Sequence, residues 1–103
     1  MSRVIFEGKL SAETIIETFD FKSRLAASET ISTASTVCTV YSGTDASPSS
    51  VISGAATISG QTVTQKVTAG TEGVVYILAC TITTSLGQTL VIDAYLTIVP
   101  NTA

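Results

Sequence analysis

The chain has 103 residues, a single-domain length, with 45% hydrophobic and 13% charged residues and a net charge of −3. That balance excludes a disordered chain, and the scatter of its five basic residues, Arg3, Lys9, Lys22, Arg24 and Lys66, excludes the clustered cationic face that a nucleic-acid backbone requires. Thr and Ser supply 31 residues; Thr, Val and Ile lose rotamers in helices and fit pleated surfaces, so the composition selects strands.

Nine of the thirteen charged residues precede Thr30. This asymmetry reads as an N-terminal segment of different character attached to, or opening, a nearly uncharged sandwich; the expected division is an N-terminal arm or first strand, residues 1–18, and a β-sandwich body, residues 19–103. Within the arm, Val4, Ile5 and Phe6 follow Arg3 and end near Gly8, which reads as a hinge. The triplet is either the body's own first strand or an arm that docks on a neighbour by strand addition. Residues 12–18 allow a helical turn, because Ile15 and Ile16 break alternation. An extended strand over 14–21 is preferred, with Glu13, Ile15, Glu17, Phe19 and Phe21 on one face.

Residues 34–42 read as the next strand, with Cys38 and Val40 inward and Val37 and Tyr41 outward. Ser42-Gly43 ends it, and Asp45 to Ser49 form a loop around Pro48. A hairpin follows, in which Ala56-Thr57-Ile58 and Gln61-Thr62-Val63 flank Ser59-Gly60, with Val63 and Val67 inward. The clearest strand spans 74–83, where Val74, Tyr76, Leu78, Cys80 and Ile82 share one face. After the turn at Ser85-Leu86-Gly87, residues 88–99 return with Leu90, Ile92, Ala94, Leu96 and Ile98 inward. The outward side of this hairpin, around Val75, Ile77, Tyr95 and Val99, is apolar enough to meet a partner. Short strands between Gly and Ser turns, without a helical repeat, predict an all-β, immunoglobulin-like sandwich of about seven antiparallel strands.

Chemistry-bearing patterns are sparse. Without His there is no Ser–His or Cys–His pair, and two cysteines 42 positions apart do not complete a zinc site. Phosphate-binding glycine motifs are missing. Carboxylate pairs such as Glu13 with Glu17, or Glu17 with Asp20, read as a solvated face. The expectation is a non-enzymatic protein with no catalytic residue, cofactor or metal. Cys38 and Cys80 fall on different strands and read either as an inter-sheet disulfide or as small buried core residues. No Trp accompanies them, and Tyr76 stands four residues before Cys80 rather than two. With no leader-like or membrane-spanning apolar run, residence in a reducing cytoplasm is expected, which favours free thiols.

Five segments carry a resemblance. They are Asp20-Phe21-Lys22-Ser23-Arg24-Leu25-Ala26 with Glu29-Thr30-Ile31-Ser32; Ser42-Gly43-Thr44-Asp45-Ala46-Ser47-Pro48-Ser49; Ile52-Ser53-Gly54; Gly73-Val74-Val75-Tyr76; and Thr83-Thr84-Ser85-Leu86-Gly87-Gln88-Thr89-Leu90. In this order, over residues 19–99, the chain resembles small bacteriophage virion proteins labelled fibre–tail adaptor or head–tail structural proteins. The resemblance implies an immunoglobulin-like fold and a place in the virion, in many copies around a symmetric assembly, reached from the host cytoplasm. Its partners would be tail, fibre, connector or capsid subunits, with neither nucleic acid nor membrane bound directly. Candidate contact residues are Arg3, Val4, Ile5 and Phe6 of the arm and Val75, Ile77, Tyr95 and Val99 of the hairpin. An adaptor joining fibres to the tail or head–tail connector is the leading expectation. A capsid cement protein and a carbohydrate-binding surface module are the alternatives, the last disfavoured by only six aromatic residues.

Overall fold

The computed structural model describes residues 2–6 and 8–99, the first three of these by backbone alone. Among the described residues there are eight strands: β1 (Ser2–Ile5), β2 (Lys9–Leu10), β3 (Ile15–Asp20), β4 (Ile31–Ser42), β5 (Ile52–Ser59), β6 (Thr62–Val67), β7 (Val75–Thr84) and β8 (Thr89–Val99). One sheet runs β1-β8-β7-β4, with β2 also on β8, and the other runs β3-β6-β5. This is the immunoglobulin arrangement: β4, β7 and β8 stand as strands C, F and G, and β3, β6 and β5 as B, E and D. The six strands from β3 onward pair antiparallel.

Alternation builds the core. Along β7, Tyr76, Leu78, Cys80 and Ile82 are buried and stand opposite Leu96, Ala94, Ile92 and Leu90 of β8. Phe19, Phe21, Val63 and Val67 close the core from the second sheet. The β5–β6 hairpin turns through Gly60 and Gln61, and Gly60 at φ +59° supplies the positive φ that a type II′ turn requires first.

The N-terminus departs from the docking arm. β1 lies parallel to its own chain's β8, Ser2 to Ile5 beside Ile92 to Tyr95, and β2 continues with Lys9 beside Ile98 and Leu10 beside Val99. Phe6 N donates to Tyr95 O at 2.9 Å, and the Phe6 ring meets Phe19 edge-on at 5.3 Å. Pairing within the chain satisfies the strand and seats Phe6 on the core. Of the triplet's described side chains only Ile5, 82% exposed, faces solvent. Gly8 serves close packing rather than hinging, since a Cβ there would come within 2.7 Å of Val99 Cγ1. Lys9, fully buried, ties this edge to the β6–β7 loop: its Nζ donates to Leu10 O at 2.7 Å and Ala69 O at 2.6 Å. Burial pushes its ammonium below the usual lysine range, partly offset by Glu13.

Cys38 and Cys80 are free and buried, and they sit on adjacent strands of one sheet, where Cys38 opposes Leu78 and Cys80 opposes Thr36. An antibody-like inter-sheet bridge is therefore excluded by topology. Burial pushes the Cys38 thiol to about 12 and the Cys80 thiol to about 11, which leaves both unreactive near neutral pH.

Candidate docking face

The outer face of the β1-β8-β7-β4 sheet gathers apolar side chains that are distant in sequence. Ile5 stands beside Tyr95, Tyr95 beside Ile77, and Ile77 beside Thr39, so one row crosses all four strands. The adjacent row places Asp93, Ala79 and Val37 together. Tyr41, at a register irregularity near the end of β4, lays its ring 4.8 Å from that of Tyr95. Val37 and Tyr41 are 57% and 59% exposed, whereas Val75, Ile77, Tyr95 and Val99 are half-buried on the same side. β4 and β7 carry no charged residue, and β8 carries only Asp93, opposite Arg3 in the β1 register. Such a face is costly to leave in water and matches the charge-depleted centre of an interface.

Each end of the sandwich is closed by a polar clip, anchored at one end on the buried Glu29 and at the other on the hydroxyl of the buried Tyr76. At one end the buried Glu29 accepts hydrogen bonds from Thr84 Oγ1, from Gln88 Nε2 at 2.8 Å and from Ala26 N at 3.0 Å. At the other, Tyr76 Oη donates to Asp45 Oδ2 at 2.6 Å and accepts from Thr71 N at 2.8 Å. The second clip is the tyrosine corner of the fold, tying the start of strand F to the backbone upstream. Hydrogen bonds from Thr84 and Ala26 hold Glu29 below the usual carboxylate range, and those from Tyr76 and Ser47 do the same for Asp45.

Because both folded values are depressed, the carboxylates stabilise the domain above their unfolded range. The contribution is lost as pH falls through the folded values. Thermal melting should therefore drop on acidification from neutral pH, and Glu29→Gln should flatten the curve while lowering melting at neutral pH. An unchanged pH profile in that variant would dissociate Glu29 from acid sensitivity.

The structure brings the four hairpin candidates Val75, Ile77, Tyr95 and Val99 onto the face with Ile5. Phe6 turns instead into the core, and the side chains of Arg3 and Val4 lie outside the described residues. Val37 and Tyr41 carry outward parity in the sequence, but only the β4–β7–β8 order reveals that they extend the patch. On the opposite sheet, a shallow groove of about 250 Å³ is lined by Ile16, Thr64, Lys66 and the bulged part of β5. It presents no aromatic ring on which a sugar could stack. No helix among the described residues is long and apolar enough to cross a membrane.

An immunoglobulin-like sandwich, clipped at both ends and apolar on one outer sheet face, is a structural module built for protein contact. Residues 9–97 match the family described as podophage GP4 fiber-tail adaptor protein gp77, and the chain belongs to that family of phage structural adaptors. The match begins ahead of the segments that carried the resemblance, so β2 and β3 lie within it and β1 lies outside. No curated protein matches the chain. The family segments meet in space as the two clips: Glu29 with Thr84 and Gln88, and Asp45 with Tyr76.

Proposed function

We propose that the protein joins tail fibres to the tail or head–tail connector of a phage particle by docking the outer face of its β1-β8-β7-β4 sheet. The observation that carries this reading is the row Ile5, Tyr95, Ile77 with exposed Val37 and Tyr41, on a sheet whose strands β4, β7 and β8 together carry one carboxylate, Asp93. Shape and apolar burial supply the binding, and no catalytic step, metal or cofactor takes part. Several copies act in a symmetric assembly with other virion proteins. β1 acts as the body's own edge strand, contributing Ile5 to the face and placing Arg3 at its rim. The family favours this role over capsid cement, which the same face could serve.

Particles assembled without the protein test this reading. They should contain filled heads and tails yet lack fibres. Full fibre occupancy in its absence would overturn the proposal.

A further inference from the structure

The Lys9 side chain belongs to the two-residue strand β2, yet none of its surface is exposed. An ammonium group carries three N–H donors, and three backbone carbonyls surround this one: Ala69 O at 2.6 Å, Leu10 O at 2.7 Å and Ser11 O at 3.5 Å. Glu13 holds the same turn from the other side, its Oε1 accepting from Leu10 N at 2.8 Å and its N donating to Leu10 O at 3.0 Å. A buried cation is costly unless its donors are met, so this cage is a specific contact rather than a chance one.

The far partner, Ala69, is the only non-glycine at positive φ among the described residues, at +52°. There the Cβ crowds the following carbonyl, and the conformation persists only where the surroundings dictate it. Here they do. Thr68 N donates to Val51 O at 2.9 Å, and the Thr68 hydroxyl lies 2.8 Å from that of Thr14. Gly70 sits so close to Ile98 that a Cβ would come within 2.7 Å of its Cδ1, and Thr71 N donates to Tyr76 Oη at 2.8 Å. Between these fixed flanks the Ala69 carbonyl is turned onto Lys9.

The strands on the other side of this contact hold weakly by themselves. β1 pairs with β8 over four residues and β2 over two, both in parallel, which makes marginal ladders. We propose that Lys9 is a latch: it clamps β2 to residues 69–71, so that β1, β2 and that loop open together as one unit while the sheets formed by β3 to β8 stay closed. Ile5 then stands on the docking face only while the latch is shut, a consequence that rests on the docking reading. Local units of this kind open at lower free energy than the core strands they cover.

Amine labelling of the whole chain with acetic anhydride, followed by mass spectrometry, and amide exchange followed by NMR test the latch together. The exposed Lys22 and Lys66 should label first. Lys9 should label more slowly by about a hundredfold or more, and by the same factor that exchange is slowed at Phe6, which donates to Tyr95 O, and at Thr71. Lys9→Met strands the carbonyls of Leu10 and Ala69 without a donor. In that variant the Phe6 and Thr71 amides should both lose about tenfold or more of their protection, with the β4–β7 ladder still protected. Lys9 labelling as fast as Lys66 would overturn the proposal, as would wild-type protection of both amides in the variant. Opening at one of the two amides alone would overturn it as well, because the latch joins them. Should Lys9→Met fail to fold, agreement or disagreement between Lys9 labelling and the two amides in the wild-type chain decides. Both readouts come from the free chain, so they stand apart from the docking-face reading, whose readout is the particle.

Discussion

Protein carrying Ile5→Glu together with Tyr41→Glu should fold and yet be missing from assembled particles. Both side chains are largely exposed, Ile5 at 82% and Tyr41 at 59%, so neither change opens the core. The surface change at Ile5 should alter stability by no more than about 0.5 kcal/mol. Removing the Tyr41 ring from Tyr95 should cost about 0.5–1.5 kcal/mol. In a docked complex the two carboxylates would be stripped of water without partners, beside Asp93. The loss should reach the hot-spot scale, about 2 kcal/mol or more, which is roughly thirtyfold in affinity. Leu86→Glu is the matched control, since Leu86 is 64% exposed at the β7–β8 turn, away from the face. It should incorporate normally. Quantifying each variant in purified particles decides the matter, and equal incorporation of the double variant and the control would remove the face from the account.

Deleting residues 1–8 is the second change with a large expected effect. An arm docking on a neighbour could be removed at no cost to the domain. Here β1 covers the β8 edge, and Phe6 packs edge-on against the buried Phe19. Uncovering that site should lose about 1.5–3 kcal/mol of apolar burial and about 0.5–1.5 kcal/mol of ring pairing. The truncated domain should remain folded, because β3 to β8 keep both sheets and most of the core. Its urea midpoint should fall, and it should be excluded from particles, having lost Ile5 and gained an open edge. A midpoint unchanged from the full chain would show that β1 and Phe6 contribute nothing in solution. A chain that fails to fold would place residues 1–8 in the essential core.

Local pattern exposed much of this fold. Period-two alternation marks β7 and β8 because half of each strand faces the core and half does not, and the inward residues 74–82 and 90–98 fall as alternation assigns them. Ser59-Gly60 marks a turn because a side chain at Gly60 would resist its positive φ. What alternation lacks is partner choice. The alternation of Arg3, Val4, Ile5 and Phe6 in the sequence suits a neighbour's edge as well as the chain's own. Only three-dimensional closure sets β1 beside β8. Lys9 shows the limit for single residues. A lysine is read as exposed, and its burial depends on carbonyls at Leu10 and Ala69 that no local pattern brings together. The grouping of the candidate face was half legible for the same reason. The β7–β8 hairpin unites Val75, Ile77, Tyr95 and Val99 by short connection, while Val37 and Tyr41 join them through pairing across some forty residues. The family segments specified turns and clips rather than contacts, so the resemblance conveyed the fold before it conveyed the face.

The most direct test of the central claim is the position and orientation of the protein in density for the intact particle. Copies should lie between tail and fibre bases, with Ile5, Tyr41, Ile77 and Tyr95 buried against another virion protein. Copies spread over the capsid shell, or seated at the tail with that sheet face open to solvent, would contradict it.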